Sequence, residues 1–350
     1  MSIYDKMLNF RVANISDIES IMSFIGKYWQ ENHILAVDKD FFKWMYGNDQ
    51  YGDNQFVNFF LMETKENELA GVHGFVPYGP VGSDRCVSSA LTKVNPAIKI
   101  PLCGVELMKR FYEVVPATAY YSSGTNPKTM IPIGEKIFHH ATGIMQQYYM
   151  LNPDCEDFRI AKIDKIQHIA PSHFNKKLIK SGVDDELVRR FDFLASYPRQ
   201  GRKSKEYVYK RFFGHPIYKY DCFAIVSENG KCDAIVFGRT VRENGSKVFR
   251  IVDIYGNLET FYQSGKAWED FICFHNYEYV DIVASRLPED KMNNAGFVLC
   301  RENDENIIPN YFEPFIQKNI TSWFMSTNPD IVIFKADGDQ DRPNNRIVAI

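Results

Sequence analysis

The chain has 350 residues, of which 45% are hydrophobic and 24% are charged, an ordinary composition for a globular protein. Its net charge of −3 gives no basic footprint, which argues against nucleic acid as a partner, and no apolar run approaches the roughly 20 residues that span a bilayer. The seven cysteines include no CxxC pair and are typical of reduced thiols, so we expect a cytoplasmic protein, with about two domains for this length.

Hydrophobic periodicity in the first 152 residues predicts alternating strands and helices. Apolar residues recur at helical spacing between residues 15 and 29, and the polar run at 65–68 predicts a hairpin turn between two strands. The predicted elements are strand 9–13, helix 15–29, helix 38–47, strands 55–64, 69–78 and 88–94, a helix from residue 104, strand 118–123, helix 130–139 and strand 141–151.

The stretch from Ser88 to Val114 predicts a strand, a turn and a helix. The strand carries β-branched residues and ends at Pro96, because proline cannot donate to a sheet ladder. From Gly104 onward the apolar residues recur at helical spacing. The loop between, Lys99 to Gly104, would aim backbone N–H groups and a helix N-terminus at one point, an arrangement that binds phosphate.

This strand, loop and helix resemble the fourth strand, the pyrophosphate loop and the following helix of the GCN5-related N-acetyltransferase (GNAT) superfamily. The family loop reads Arg/Gln-x-x-Gly-x-Gly/Ala, and here Lys99, Leu102 and Gly104 stand at its three defined positions. Lysine keeps the positive charge without the forked geometry of arginine, and leucine gives up the close backbone approach of glycine. The element order over residues 9–152 is also that of the GNAT fold.

The resemblance implies acetyl-CoA or another acyl-CoA as co-substrate, and no metal. The residues that it places against the pantetheine and pyrophosphate are Val94, Lys99, Ile100, Pro101, Leu102, Cys103 and Gly104. Asn126 stands at the start of the helix after the fifth strand, where the family often places an asparagine near the cofactor. Gly134, in the IGEKIF run at 133–138, stands where the family often has a tyrosine that serves as general acid.

Acyl transfer to an amine needs a base for the amine and an acid for the leaving thiolate. His73, flanked by glycines on the third strand, is either such a base or a strand histidine with an ordinary hydrogen bond. Tyr120 and Tyr121 on the fifth strand either protonate the thiolate or fill the core and bond a carbonyl. The His139–His140 pair has no Cys or carboxylate at ligand spacing beside it, which predicts no metal site.

The second half of the chain repeats this order, which predicts an internal duplication. The fold class is therefore α/β, with two tandem GNAT-like units, each a mixed, mostly antiparallel twisted sheet flanked by helices. We predict domains at 1–152 and 184–350, joined by a connector at 153–183. The predicted elements of the second unit are helices 186–194 and 204–213, strands 221–227, 232–240 and 247–255, one helix at 258–274, strand 277–285, a helix near 291–297 and closing strands at 323–327 and 330–334.

Only the first unit carries a loop suited to an acyl-CoA donor. In the second unit the segment Asn257 to Thr260 has no glycine pattern and no basic residue, and a pyrophosphate there would meet Glu259. The second unit is therefore predicted to be a scaffold or a wall of the acceptor site.

The C-terminal segment from Lys335 to Asn344 is polar, with aspartates at 337, 339 and 341. The register breaks at Arg342–Pro343 without a closing Glu, which argues against a calcium loop. The segment is either a solvated turn or a carboxylate and arginine cluster that binds an amino-sugar nucleotide. Together with Tyr148 to Pro153, it resembles tandem acyltransferase-like proteins of bacterial surface-polysaccharide biosynthesis.

The sequence thus predicts a cytoplasmic N-acyltransferase, a monomer or homodimer, that moves an acyl group from CoA to a small amine. The favoured acceptor is an amino-sugar (nucleotide) intermediate of surface polysaccharide. One alternative is a Fem-type aminoacyl transferase, although the net charge of −3 counts against tRNA. The other is a non-catalytic GNAT-like binding module, favoured by the departures at Leu102 and Gly134.

Overall fold

The computed structural model describes residues 2–194 and 201–345, which form two large twisted sheets flanked by helices. The helices are α1 Ile3–Met7, α2 Ile18–Tyr28, α3 Ile34–Val37, α4 Lys39–Tyr46, α5 Cys103–Val114, α6 Met130–Ile133, α7 Glu186–Arg189, α8 Lys205–Val208, α9 Leu258–Tyr262, α10 Gly265–Phe274 and α11 Glu289–Asn294. Short 3₁₀ turns lie at Ile15–Asp17 and Asp49–Tyr51, and π-helical turns extend α6 and α8 over Gly134–Phe138 and Tyr209–Phe213.

The strands are distributed over the two large sheets and one small two-stranded sheet. They are β1 Leu8–Asn14, β2 Gly47–Asn48, β3 Asp53–Thr64, β4 Leu69–Pro77, β5 Cys86–Val94, β6 Ala119–Ser123, β7 Ala141–Ile144, β8 Gln146–Leu151, β9 Lys177–Ser181, β10 Asp221–Val226, β11 Cys232–Glu243, β12 Ser246–Gly256, β13 Tyr279–Ala284, β14 Val298–Cys300, β15 Tyr311–Phe312, β16 Phe315–Ile316 and β17 Trp323–Ser326. Both large sheets mix parallel and antiparallel pairs, which confirms the predicted fold class.

The first sheet has the order β1-β3-β4-β5-β6-β17-β7, with β2 added beside β3. Its only parallel pair among the described strands is β5 with β6. Helix α5 packs on one face through Leu107 and Phe111, and α2 to α4 cover the other face, where Phe42 stacks on Phe59. Because both faces are covered, β4 is buried along nearly its whole length.

The second sheet has the order β14-β8-β13-β12-β11-β10-β9, and β12 and β13 form its parallel pair. Trp268 of α10 is fully buried against this sheet, with its ring 5.9 Å from that of Phe249. Burying such an aromatic side chain contributes roughly 1.5–3 kcal/mol. Strand β9 lies within the predicted connector at 153–183, and the division into domains at 152 and 184 stays a prediction.

The two sheets exchange one strand each. Residues 141–151 break at Met145 into β7, which belongs to the first sheet, and β8, which lies between β13 and β14 of the second. In return, β17 lies between β6 and β7 of the first sheet. The predictions that 141–151 is one strand and that 323–327 completes the second sheet are therefore wrong, because strand pairing depends on distant partners rather than on local pattern.

Further predicted elements differ from the structure, among them the helix predicted at 186–194, which ends at Arg189. Residues 330–334 are not a strand, and Phe334 forms only an isolated bridge to Ala284. The single helix predicted at 258–274 breaks at Gln263–Ser264 into α9 and α10, because the backbone carbonyl of Phe261 bonds the hydroxyl and the N–H of Ser264.

Candidate active site

Strands β5 and β6 separate in the middle of the first sheet. They pair only from Cys86 with Ala119 to Ser88 with Tyr121. Beyond that point β5 stays paired with β4 up to Val94, whereas β6 pairs with β17. The result is an opening between the edges of two strands, which we call the first wedge. Residues 89–94 of β5 bound it on one side, and residues 122–124, which follow the paired part of β6, bound it on the other. Within the described residues, no main-chain hydrogen bond from another segment enters it.

The loop before α5 brings the predicted pyrophosphate residues together beside this wedge. Leu102 adopts the left-handed conformation (φ 55°), and its carbonyl accepts from Val105 and Glu106 at 2.9 and 3.0 Å. In the part of the chain that the structure describes, no side chain caps this helix start, and the Leu102 side chain is 66% exposed. The N-terminus of α5 therefore has no side-chain cap, and the Gly104 N–H has no main-chain partner among the described residues, which leaves a donor for an anion.

The other residues of the loop differ in exposure. Lys99 is exposed, and its Nζ donates to the Pro96 carbonyl at 3.0 Å. Ile100 accepts from the Cys103 N–H, and Pro101 accepts from a tyrosine hydroxyl at 3.1 Å. Gly104 lies close to Val94 at the end of β5, so the loop returns to the strand that it leaves. Cys103 is buried, and burial raises the pKa of its thiol.

Asn126 lies on the exposed turn before α6. Its side-chain oxygen accepts from the Lys128 N–H at 2.9 Å, and its carbonyl accepts from the Met130 N–H at 3.0 Å. Asn126 thus bonds the turn that precedes α6, and the N-cap residue of that helix is Thr129 rather than Asn126. Whether it contacts a cofactor stays a prediction.

His73 lies in the core between the first sheet and α5. It is 0% exposed, its Nδ1 is 2.7 Å from the Thr92 hydroxyl, and its ring centroid is 4.3 Å from that of Phe111. Burial lowers the pKa of His73 to about 3, so the ring is neutral at physiological pH. This is the geometry of a strand histidine with an ordinary hydrogen bond. A catalytic role for His73 stays a prediction, and the complete burial of its ring does not favour that role.

Tyr120 and Tyr121 point to opposite faces of the sheet, as neighbours on a strand must. The Tyr120 hydroxyl donates to the Val115 carbonyl, so it is already engaged. Tyr121 faces the junction of the two sheets, where its ring lies 5.5 Å from that of Tyr78 and its hydroxyl presses on Gly201. The structure therefore does not bring the two predicted acids to one point, and their catalytic role stays a prediction.

Tyr112 of α5 is a further candidate that the sequence analysis missed. Its ring packs 4.7 Å from Tyr120 and 5.6 Å from His140. The hydroxyls of Tyr112 and Ser89 and the Nδ1 of His140 are buried without a hydrogen-bond partner among the described residues. Burial raises the pKa of Tyr112, with the nearby Ser89 hydroxyl acting against the shift. Since such atoms cost about 1–3 kcal/mol each, they indicate a site that a ligand or water completes.

The C-terminal segment is buried between the two sheets, so the expectation of a solvated turn is wrong. Lys203 lies between Asp253 and Asp337, with its Nζ 2.7 and 2.6 Å from their carboxylate oxygens. Burial opposes the charge on Lys203, but the two carboxylates outweigh it and raise its pKa. Burial also raises the pKa of Asp253 to about 6. Asp339 and Asp341 bind Arg342 and Arg239 at 3.2 and 3.1 Å.

The second sheet has its own wedge, but a segment of the chain fills it. Strands β12 and β13 pair only from Phe249 to Ile251, and then separate. Ala336 donates to the carbonyl of Val252 on β12 at 3.0 Å, and the Ile333 carbonyl accepts from Ser285, just after β13, at 2.7 Å. The N-terminus of α9 is also capped, because the side-chain oxygen of Asn257 accepts from the Glu259 N–H at 3.0 Å.

No group of His, Cys, Asp and Glu side chains within residues 2–194 and 201–345 is arranged to hold a metal ion. Over the same residues, no helix has the length and apolar character needed to cross a membrane.

No protein-family model and no curated protein matches the sequence. Solved structures do resemble it. A GCN5-related N-acetyltransferase from Anabaena variabilis superposes with a TM-score of 0.53 at 12% identity, over 91% of this chain and 72% of that chain. A conserved protein of unknown function from Enterococcus faecalis, described as a probable N-acyltransferase, gives 0.53 at 11% identity over the same shares. Identities this low establish the fold alone: the chain has a GNAT fold, and the matched region includes both sheets.

Proposed function

We propose that the protein is an acyl-CoA-dependent N-acyltransferase that acts on a small amine acceptor. The observation that carries the proposal is the first wedge, with the uncapped N-terminus of α5 beside it. The two solved structures that share the fold over 91% of this chain are an N-acetyltransferase and a probable N-acyltransferase, which supports the same chemistry here.

The residues around the first wedge fit an acyl-CoA. The Gly104 N–H has no main-chain partner among the described residues, and together with the exposed Lys99 it provides a donor and positive charge for a pyrophosphate. The unpaired edge of β5 beyond Ser89 offers backbone N–H and C=O groups to the amides of a pantetheine arm. The hydroxyls of Ser89 and Tyr112, which lack partners among the described residues, gain one when the wedge is filled. A bound acyl-CoA would supply an activated thioester.

We assign Tyr112 as the candidate general acid. The family position for this residue is occupied by Gly134, which has no side chain. Burial raises the pKa of Tyr112, so its hydroxyl stays protonated and can donate to a leaving thiolate. By contrast, the Tyr120 hydroxyl already donates to the Val115 carbonyl.

An amino-sugar intermediate of surface polysaccharide is the finer proposal for the acceptor. It is supported by the resemblance of the C-terminal segment and of residues 148–153. The structure engages Asp337, Asp339 and Asp341 in ion pairs within the protein, so these carboxylates are not free to bind a sugar. A transfer assay with amino sugars, their nucleotides and simple amines would separate this acceptor class from others.

Calorimetry with acetyl-CoA and with longer acyl-CoAs tests the donor assignment. We expect saturable binding that weakens when acetyl-pantetheine, which lacks the pyrophosphate, replaces acetyl-CoA. If no acyl-CoA binds at millimolar concentration, the proposal is wrong.

A non-catalytic binding module is the second candidate function. The departures at Leu102 and Gly134 and the enclosure of His73 favour it. Under this alternative, an acyl-CoA binds but no amine releases free CoA, which a thiol assay measures. A Fem-type aminoacyl transferase would instead bind aminoacyl-tRNA, which the net charge of −3 disfavours.

A further inference from the structure

A second cavity lies at the junction of the two halves, away from the loop before α5. It has a volume of about 20 Å³ and is bounded by Trp44 of α4, the end of β4, and Tyr207, Lys210 and Arg211 of α8 and the π-helical turn after it. Gly338 of the C-terminal segment closes one side. Nothing in the proposed acyl-CoA site uses these side chains.

Three polar atoms that line this cavity have no hydrogen-bond partner within residues 2–194 and 201–345. They are the Nε1 of Trp44, the hydroxyl of Tyr207 and the Nη1 of Arg211. Tyr207 and Arg211 are only 4% and 3% exposed. Two of the atoms are obligate donors and the third is a hydroxyl that can also donate, so the cavity is lined by unused N–H and O–H groups.

Arg211 also brings a buried positive charge. Its Nη2 donates to the Asp341 carbonyl at 2.9 Å and its Nε to the Ala336 carbonyl at 3.4 Å. Its guanidinium forms no ion pair with a carboxylate in the described part of the chain. Buried arginines are rare unless paired, because the charge loses its hydration.

The lining of the cavity carries no carboxylate, although the charge of Asp341 acts on Arg211 from outside the lining. None of the side chains that line it is an aspartate or glutamate, whereas Lys210 and Arg211 are both cationic. Lys210 points away, with its Nζ 2.7 Å from Asp49. Burial lowers the pKa of Lys210, with Asp49 acting against the shift. The three donors without partners, one of them on the Arg211 guanidinium, are complementary to a small anion.

We propose that this cavity binds the carboxylate group of a small-molecule ligand. A volume of about 20 Å³ accommodates a group of a few atoms. The two oxygens of a carboxylate can accept from Arg211, Tyr207 and Trp44 together. The proposal does not depend on the acyl-CoA assignment. The two sites are nevertheless close, because Gly338 lines the cavity and also lies against Ser88 at the end of the first wedge. Any side chain at position 338 would collide with the Ser88 hydroxyl.

Saturation-transfer NMR on the full-length protein tests the site with acetate as the probe. We expect transfer to the acetate methyl group with millimolar affinity, and no transfer to acetamide, which has the same shape without the charge. Absence of transfer to acetate at tens of millimolar, or equal transfer to acetamide, overturns the proposal. Binding of inorganic phosphate in place of acetate also overturns it, because the site would then not be a carboxylate site.

Conservative variants locate the binding. Trp44→Phe and Tyr207→Phe each remove one donor and keep an aromatic ring, and we expect each to weaken acetate binding about fivefold or more. Tyr209→Phe is the matched control, because its hydroxyl is also buried without a partner among the described residues but does not line the cavity. Thermal unfolding checks that the variants are folded. If folded Trp44→Phe and Tyr207→Phe proteins bind acetate as the wild type does, the assignment of the cavity is wrong.

Discussion

The two sheets carry the same structural feature in two different states. In each, a parallel pair of strands separates after three residue pairs, and the longer strand leads into a helix. A loop of eight residues separates strand and helix in the first sheet, and a single residue, Asn257, separates them in the second. In the second sheet, residues 333–336 fill the opening and Asn257 caps the helix. In the first sheet, the opening admits no main-chain hydrogen bond from another described segment, and no described side chain caps α5.

This difference shows how one fold can serve two purposes within a single chain. Where the chain satisfies its own strand edges and helix N-terminus, the region contributes stability. Where the same groups remain unsatisfied, they are available to a ligand. We propose a binding role for the first half and a structural role for the second, and each proposal can be tested separately.

The largest expected effect is on stability, at the filled wedge. Lys203→Met leaves the Asp253 and Asp337 carboxylates buried without their cation, so we expect the free energy of unfolding to fall by roughly 3–5 kcal/mol, measured by urea denaturation. Lys231→Met is the control, since Lys231 forms an ion pair on the surface and should have little effect. Equal effects of the two variants would contradict a structural role for the C-terminal segment.

The next effect is on donor binding, at the open helix. Leu102→Asp places a carboxylate at the N-terminus of α5, where asparagine and aspartate tolerate a positive φ. We expect acyl-CoA to bind roughly a hundredfold more weakly, because the new side chain occupies and repels the anion site. Asn257→Asp in the second half makes a similar change at α9 and should leave binding unchanged. Weakened binding in both variants would contradict the comparison.

A smaller effect is expected on turnover alone. Tyr112→Phe removes the candidate acid, and we expect kcat to fall roughly tenfold or more while the Kd for acyl-CoA stays within about threefold. Tyr120→Phe is the matched variant, since its hydroxyl donates to the Val115 carbonyl, and it should change kcat little. If Tyr120→Phe has the greater effect on kcat, the acid predicted from the sequence is the correct one.

The smallest effect is expected at the exposed lysine of the loop. Lys99→Ala should weaken acyl-CoA binding about fivefold at low ionic strength and less at high salt, because exposed charges are screened. Lys291→Ala, beside α9, should have no effect on binding. An unchanged Kd for Lys99→Ala, with biological activity intact, would favour the non-catalytic binding module.

The order of elements was predictable from the sequence, because strand and helix periodicities are local. The loop before α5 could also be located, through Pro96 and the helical spacing that begins at Gly104, whereas the separation of β5 from β6 beside it appears only in the structure. The filled second wedge could not, because the residues that fill it lie about 80 positions after the strand they join. Nothing in the local pattern around Ala336 indicates Val252 as its neighbour.

Two features of the candidate site were hidden for a similar reason. Tyr112 fits the apolar stripe of its helix, and only the packing shows that its hydroxyl lacks a partner among the described residues. The aspartates at 337, 339 and 341 alternate along the chain as they would in a solvated turn. Only the fold shows that they are buried and form ion pairs with Lys203, Arg342 and Arg239. Whether a buried polar group has a hydrogen-bond or ion-pair partner depends on the tertiary structure.

The exchange of strands also determines when, during synthesis, the first sheet can finish folding. The first sheet needs β17 as an interior strand, and that strand ends at residue 326 of 350. The first sheet therefore cannot finish folding during synthesis until residue 326 has emerged from the ribosomal exit tunnel. For the same reason, two fragments produced by cutting near residue 165 should be unstable when expressed separately and should reassemble when expressed together.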